Sequence, residues 1–243
     1  MASPTTAPQS NILLNSSEID PLAVKILFVP DQATGSDEQI QQIYKSIDGV
    51  TFDTVVFVES RIMDITKKIP MPSVAEFDTG ADSFIVNDAL RNEFCDEDDD
   101  FFIDDSAHGK DMQIYRHLPL LKSAIGDFKV VSVPICDDDP AIVRELDYVL
   151  SEIMGGRNIL LVVACSMPSN HANVQQLYDL VNSGDISNLM NRVNSGECDM
   201  SGSAAFMGGI LIAKSWELSV KFLSANSDND SAIAGCAVLE PKI

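Results

Sequence analysis

Histidine is scarce in this chain, with three in 243 residues, at positions 108, 117 and 171. That limits both metal chemistry and general-base catalysis, because imidazole is the commonest ligand and the commonest proton acceptor for such work. Basic residues are also few, sixteen against thirty-seven acidic ones, for a net charge of −21. Nucleic-acid binding draws much of its free energy from Lys and Arg displacing counterions, so a nucleic-acid partner is excluded. Attraction to an anionic membrane surface is disfavoured for the same reason. Long apolar runs are lacking: Ile159–Cys165 is among the longest, well short of the roughly 20 residues of a membrane-spanning helix. The N-terminus has no basic segment followed by an apolar one, which excludes a secretory signal. Five cysteines, an odd number with no CxxC, point to reduced thiols in a cytoplasmic protein rather than a disulfide framework. Phosphate-cradling GxGxxG and GxxxxGK[ST] loops and the GxSxG nucleophile elbow do not occur.

The apolar segments that are present alternate with helical spacing. Val24–Val29 reads as a strand apolar throughout, as expected when both sheet faces are covered. A helix follows on Ile40, Ile43, Tyr44 and Ile47, then a second buried strand, Phe52–Val58. This β-α-β unit implies a parallel pair with a right-handed crossover. Residues 60–105 are irregular and end in the acidic run 96–105, which reads as a solvated, self-repelling loop. Helix Asp111–Ile125 and strand Phe128–Ile135 come next, then a helix opened by Asp137-Asp-Asp-Pro140 and closed by Gly155-Gly156. Strand Asn158–Cys165 runs into the loop Ser166–Asn170. Ala172–Val181, Ile186–Val193 and Ser203–Trp216 read as helices, and Val220–Ala225 and Ala232–Leu239 as closing strands. The pattern predicts a three-layer α/β/α sandwich with a mainly parallel central sheet. It forms one domain over residues 21–243 behind a disordered lead-in, residues 1–20.

Sites in open α/β sheets form where strands end, which draws attention to the loop after Cys165. Cys165 and His171 bracket it as a conceivable nucleophile pair. The plainer reading is a buried strand thiol and a helix-start histidine.

Several segments together resemble the Memo family, whose fold is that of the class III extradiol (LigB-like) dioxygenases. Ala107-His-Gly-Lys-Asp-Met-Gln-Ile-Tyr-Arg-His-Leu-Pro-Leu-Leu121 is similar to the family's AHxxEHSIEVQLPFL. Val162-Val-Ala-Cys-Ser-Met-Pro-Ser-Asn-His171 is similar to VxSSDFSHYG, and Met200–Phe206 to the CGRxPI turn and helix. The segments 225–231 and 233–238 resemble the family's C-terminal hairpin. More weakly, Phe28-Val-Pro-Asp31 resembles PHAGY and Phe57–Arg61 resembles GPSHH. The order holds from about residue 24 to 240.

The resemblance implies a pocket lined by Asp31, Arg61, Met112, Met167, Asn170 and Ser201, the positions that match the family's functional residues. Methionine, arginine and asparagine there cannot supply the imidazole or thiolate that iron or copper needs. The resulting expectation is a pseudo-enzyme with no cofactor, a scaffold or binding protein whose protein partner is unknown. The alternative implied by the resemblance is an iron- or copper-dependent oxidoreductase with a rewired set, Asp31, His171 and Cys198. A further alternative is a metal-free catalyst through Cys165 and His171.

Overall fold

The computed structural model describes residues 13–31, 37–166, 171–198, 200–223 and 234–240. Eleven strands and seven α-helices are assigned among them. In chain order they are β1 (Leu13–Leu14), β2 (Val24–Val29), α1 (Asp37–Tyr44), β3 (Thr54–Ser60), β4 (Ile69–Met71), β5 (Glu76–Asp78), β6 (Ser83–Ile85) and α2 (Asp88–Glu97). Then come β7 (Phe101–Ile103), α3 (Ile114–Ile125), β8 (Lys129–Ile135), α4 (Pro140–Met154), β9 (Ile159–Ala164), α5 (His171–Ser183), α6 (Ile186–Asn194), α7 (Ser203–Ser215), β10 (Ser219–Leu223) and β11 (Ala234–Val238). The fold is mixed α/β around a mostly parallel central sheet. None of the described helices is long and apolar enough to cross a membrane.

Seven strands form the sheet in the order β1-β10-β11-β2-β9-β3-β8. Strands β2, β9, β3 and β8 are mutually parallel, and β11 runs against its neighbours. The first two long strands are therefore parallel, as expected, but they are not a pair. Strand β9 lies between them and bonds to both. Direction follows from the crossover rule. Adjacency does not, and β9 is apolar and buried at all six positions, which suits the centre of a covered sheet.

Alternation along the strands divides the core in two. Ile26, Phe28, Val56, Val58, Leu161 and Val163 join one cluster, together with Leu146 and Val149 of α4 and Phe206 and Ile210 of α7. Their neighbours Leu27, Val29, Val55, Phe57, Leu160 and Val162 join the other, together with Ile40 and Ile43 of α1 and Leu118 and Leu121 of α3. Helix α4 begins at Pro140, with Asp139 capping the Ala141 N–H at 2.8 Å, as the Asp-Pro signal predicts.

Two expectations change. Residues 13–20 do not belong to a lead-in: Leu13–Leu14 pair in parallel with β10, and Ile19 is buried. The acidic run is not a bare loop, because Phe101–Ile103 pairs with β4. Phe101 is buried 6.0 Å from the Phe94 ring. An aromatic anchor thus outweighs the repulsion of its carboxylate neighbours. The turn expected at Asn226–Asp230 lies outside the described residues.

Helix α7 meets the sheet through glycine. A Cβ on Gly209 would stand 2.7 Å from Phe28 Cε1 and 3.0 Å from Val163 Cγ2. Gly209→Val is expected to lower stability by about 1–3 kcal/mol through overpacking, read as a lower urea midpoint with unchanged slope.

Candidate functional site

Strand register assembles the site. Val29, Ala164, Glu59 and Pro134 lie in one row across β2, β9, β3 and β8. Two residues further along each strand, beyond the carboxyl edge, come Asp31, Ser166, Arg61 and Cys136. Within a strand a step of two keeps the same sheet face, so Glu59 follows Val55 and Phe57 to the α1 and α3 side, where it meets the backbone entering α3; the other four stand beyond the strand ends.

Asp31 and Ser166 are joined twice. The Asp31 backbone N–H donates to Ser166 Oγ at 2.9 Å, and that hydroxyl donates to Asp31 Oδ1 at 3.1 Å. The other carboxylate oxygen, Oδ2, accepts from the Ser201 hydroxyl. Ser201 is held by a two-way backbone bridge to Ser166, with N–H···O distances of 2.9 and 2.8 Å. The bridge depends on Gly202, whose φ is +74°. A Cβ there would meet the Ala164 carbonyl oxygen at 2.6 Å and Cys165 Cα at 2.9 Å. Only glycine allows so close an approach at that φ.

Glu59 lies beneath this row. It is 2% exposed, and its Oε2 accepts the Gln113 N–H at 2.9 Å just before α3. A carboxylate suits the positive end of a helix. Burial nevertheless dominates and raises its pKa to about 7, against the lowering effect of the Gln113 bond and of Arg61. Arg61, two residues beyond Glu59, pairs with the exposed Asp111 at 3.2 Å. That pairing, chiefly its hydrogen bond, holds the Asp111 carboxyl low.

The residues expected from sequence are distributed as follows. Asp31 and Ser201 are in direct contact, and Arg61 stands on the far side of Ser166, two strand spacings from Asp31 or roughly 10 Å. Met112 is fully buried among core residues of the α1 and α3 side, so it lines core rather than a cleft. Met167 and Asn170 lie outside the described residues. His171 begins α5. Cys165 is buried in the opposite core cluster, and burial drives its thiol pKa far upward. A thiol held neutral is a poor nucleophile. Cys198 is buried in the same cluster, its pKa likewise raised by burial. Among the described residues no group of three or more His, Cys, Asp or Glu side chains is placed to hold a metal ion.

The other histidines are structural. His117 is fully buried, with Nδ1 2.7 Å from the Tyr44 hydroxyl. Burial, then Arg116, lowers its pKa to about 3, so the ring is neutral. His108 Nε2 meets the Tyr115 hydroxyl at 3.1 Å beside Phe77.

The described side chains in contact with Asp31 are not those that iron or copper prefers. Both Asp31 oxygens accept serine hydroxyls, the nearest charged neighbour along the row is a guanidinium, and the described part of the edge offers hydroxyls and carboxylates in place of imidazole.

Two residues escaped the sequence reading. Ser166 stood inside the motif resembling VxSSDFSHYG but was not singled out. Glu59 ends an apolar run, and the alternation Val55, Phe57, Glu59 was the signal that would have turned it inward.

No family model matches the chain, and no curated protein does. Among solved structures, the chain shares its fold with the crystal structure of uncharacterized protein JW3007 from Escherichia coli K12. The TM-score is 0.60 at 12% identity, over 88% of this chain and 99% of that chain.

The raised pKa of Glu59 has a signed consequence. A buried acid with a folded pKa near 7 and an unfolded value near 4.5 supports folding below the unfolded value and loses that support as pH rises toward 7. Wild type is therefore expected to lose about 3 kcal/mol relative to Glu59→Gln between pH 4.5 and 7.5, measured by denaturation at each pH. Parallel stability profiles for the two proteins would contradict this.

Proposed function

We propose that the chain is a Memo-like three-layer α/β/α protein whose strand-edge pocket has become a metal-free polar binding pocket. In this reading it is a scaffold or binding protein rather than an oxidoreductase. One observation carries the reading: both oxygens of Asp31, the residue matching the family's first-loop ligand, accept hydroxyls from Ser166 and Ser201. Hydroxyl donors stabilise a carboxylate through charge-assisted hydrogen bonds, with no cation required. Arg61, which matches a histidine of the family, brings a positive charge that a bound cation would oppose. The polar edge that supported redox chemistry in such a family would here recognise hydrogen-bonding groups.

The five unbridged cysteines, four of them buried, suit a reducing compartment, and we place the protein in the cytoplasm. The charge of −21 suits a neutral or basic partner over an anionic one.

Elemental analysis of untagged protein prepared without chelators tests the reading. Iron and copper are expected far below one atom per chain and unchanged in Asp31→Asn. Stoichiometric metal that disappears in Asp31→Asn would establish the rewired oxidoreductase instead.

A further inference from the structure

Among the described residues, six buried side-chain polar atoms lack a hydrogen-bond partner, and two of them, Glu59 Oε1 and Arg61 Nε, belong to neighbouring positions at the strand edge. Glu59 is 98% buried, since its exposure is 2%, and its other oxygen is committed to the backbone entering α3. The remaining nitrogens of Arg61 are engaged by Asp111. Buried polar groups are nearly always satisfied, so two orphans on one face of one strand call for an occupant.

The orphans are complementary. Glu59 Oε1 is an acceptor, and Arg61 Nε carries a single N–H that only donates. They belong to residues two apart on β3 and its continuation, so their backbones are roughly 6–7 Å apart. A ligand group that presents an N–H beside a carbonyl offers the donor and the acceptor that this pair lacks.

Charge selects among ligands. The ionisable groups around Glu59 are Arg61 on the same strand, Asp111 on the approach to α3, and Cys136 at the end of β8. The thiol is kept neutral by burial, with its pKa pushed up to about 11. Asp31 lies further along the row. Carboxylates outnumber cations here, which repels an anion. An ammonium donates but accepts nothing, so it leaves the Arg61 Nε–H unmet, whereas a neutral amide supplies both a donor and an acceptor.

Resting on the reading of the edge as a metal-free binding pocket, we propose that Glu59 and Arg61 form a site for a small-molecule carboxamide. The amide N–H donates to Glu59 Oε1, and the amide carbonyl accepts from Arg61 Nε–H. No covalent step is involved. The carboxylate form of Glu59 is the one that binds. Affinity therefore falls as pH drops below the Glu59 pKa of about 7, approaching tenfold per pH unit.

The test is a ¹⁵N–¹H titration that reads the Arg61 Nε–Hε signal, with propionamide as probe and propionate and propylamine as controls. Propionamide is expected to shift that signal saturably at pH 8, while the two controls leave it in place. Binding is expected to weaken about tenfold per unit on lowering the pH below 7. Glu59→Gln is expected to bind several-fold more weakly and to lose the pH dependence. Arg61→Lys keeps the charge but removes the Nε–H and its signal, so it is followed through the Gln113 backbone N–H that bonds Glu59, and it is expected to weaken binding at least tenfold with the pH dependence retained. No saturable shift with propionamide, or tighter binding of propionate that strengthens as pH falls, would overturn the proposal. If the protein proves to carry stoichiometric iron or copper, the metal-free reading fails by itself. The same titration on metal-stripped protein then decides the carboxamide site separately.

Discussion

The hydrogen bonding of β9 to β2 on one side and β3 on the other is the constraint on which the candidate site depends. All six residues of Ile159–Ala164 are buried, and the strand pairs in parallel with β2 and with β3. Once β9 is there, Ser166 must emerge between Asp31 and Arg61, and Ser201 is drawn in by its backbone bridge to Ser166. The two core clusters then hold the strands in register, since a slip of one residue would send every apolar side chain to the wrong face. The edge geometry is a consequence of packing some distance away from it.

What results is an edge where charge is managed by hydrogen bonds. Asp31 is quieted by two hydroxyls, Asp111 by a guanidinium, and Glu59 by helix N–H groups that only partly offset its burial. A hydrogen bond to a charged group contributes roughly 1.5–3 kcal/mol where it is well buried. Of the three, only the Glu59 bond is well buried; the Arg61–Asp111 pair, with Asp111 mostly exposed, contributes little. Among the described residues, Glu59 Oε1 and Arg61 Nε remain without partners at this edge.

Much of this was legible in the chain. The long strands announced themselves by unbroken apolar runs, and α4 by Asp139-Pro140 at one end and Gly155 at the other. Strands β4 to β7 have three residues each, too few for a period to register. The central place of β9 was not legible either, because a strand's hydrophobicity shows that it is covered, not which neighbours cover it. At the site, the family resemblance pointed to Asp31 and Ser201, which are in contact. It placed Met112 at a cleft that the core fills instead. The hydroxyl of Ser166 and the carboxyl of Glu59 were overlooked because each belongs to a type usually found in solvent, and only the register turns them inward.

A double-mutant cycle on Asp31→Asn and Ser201→Ala, measured by urea denaturation with chelator present, tests the central claim most directly. If the carboxylate is held by the serine hydroxyl, each single change destabilises, and the double change costs less than their sum by about 1 kcal/mol. Strict additivity, or no effect of Ser201→Ala, would contradict the account.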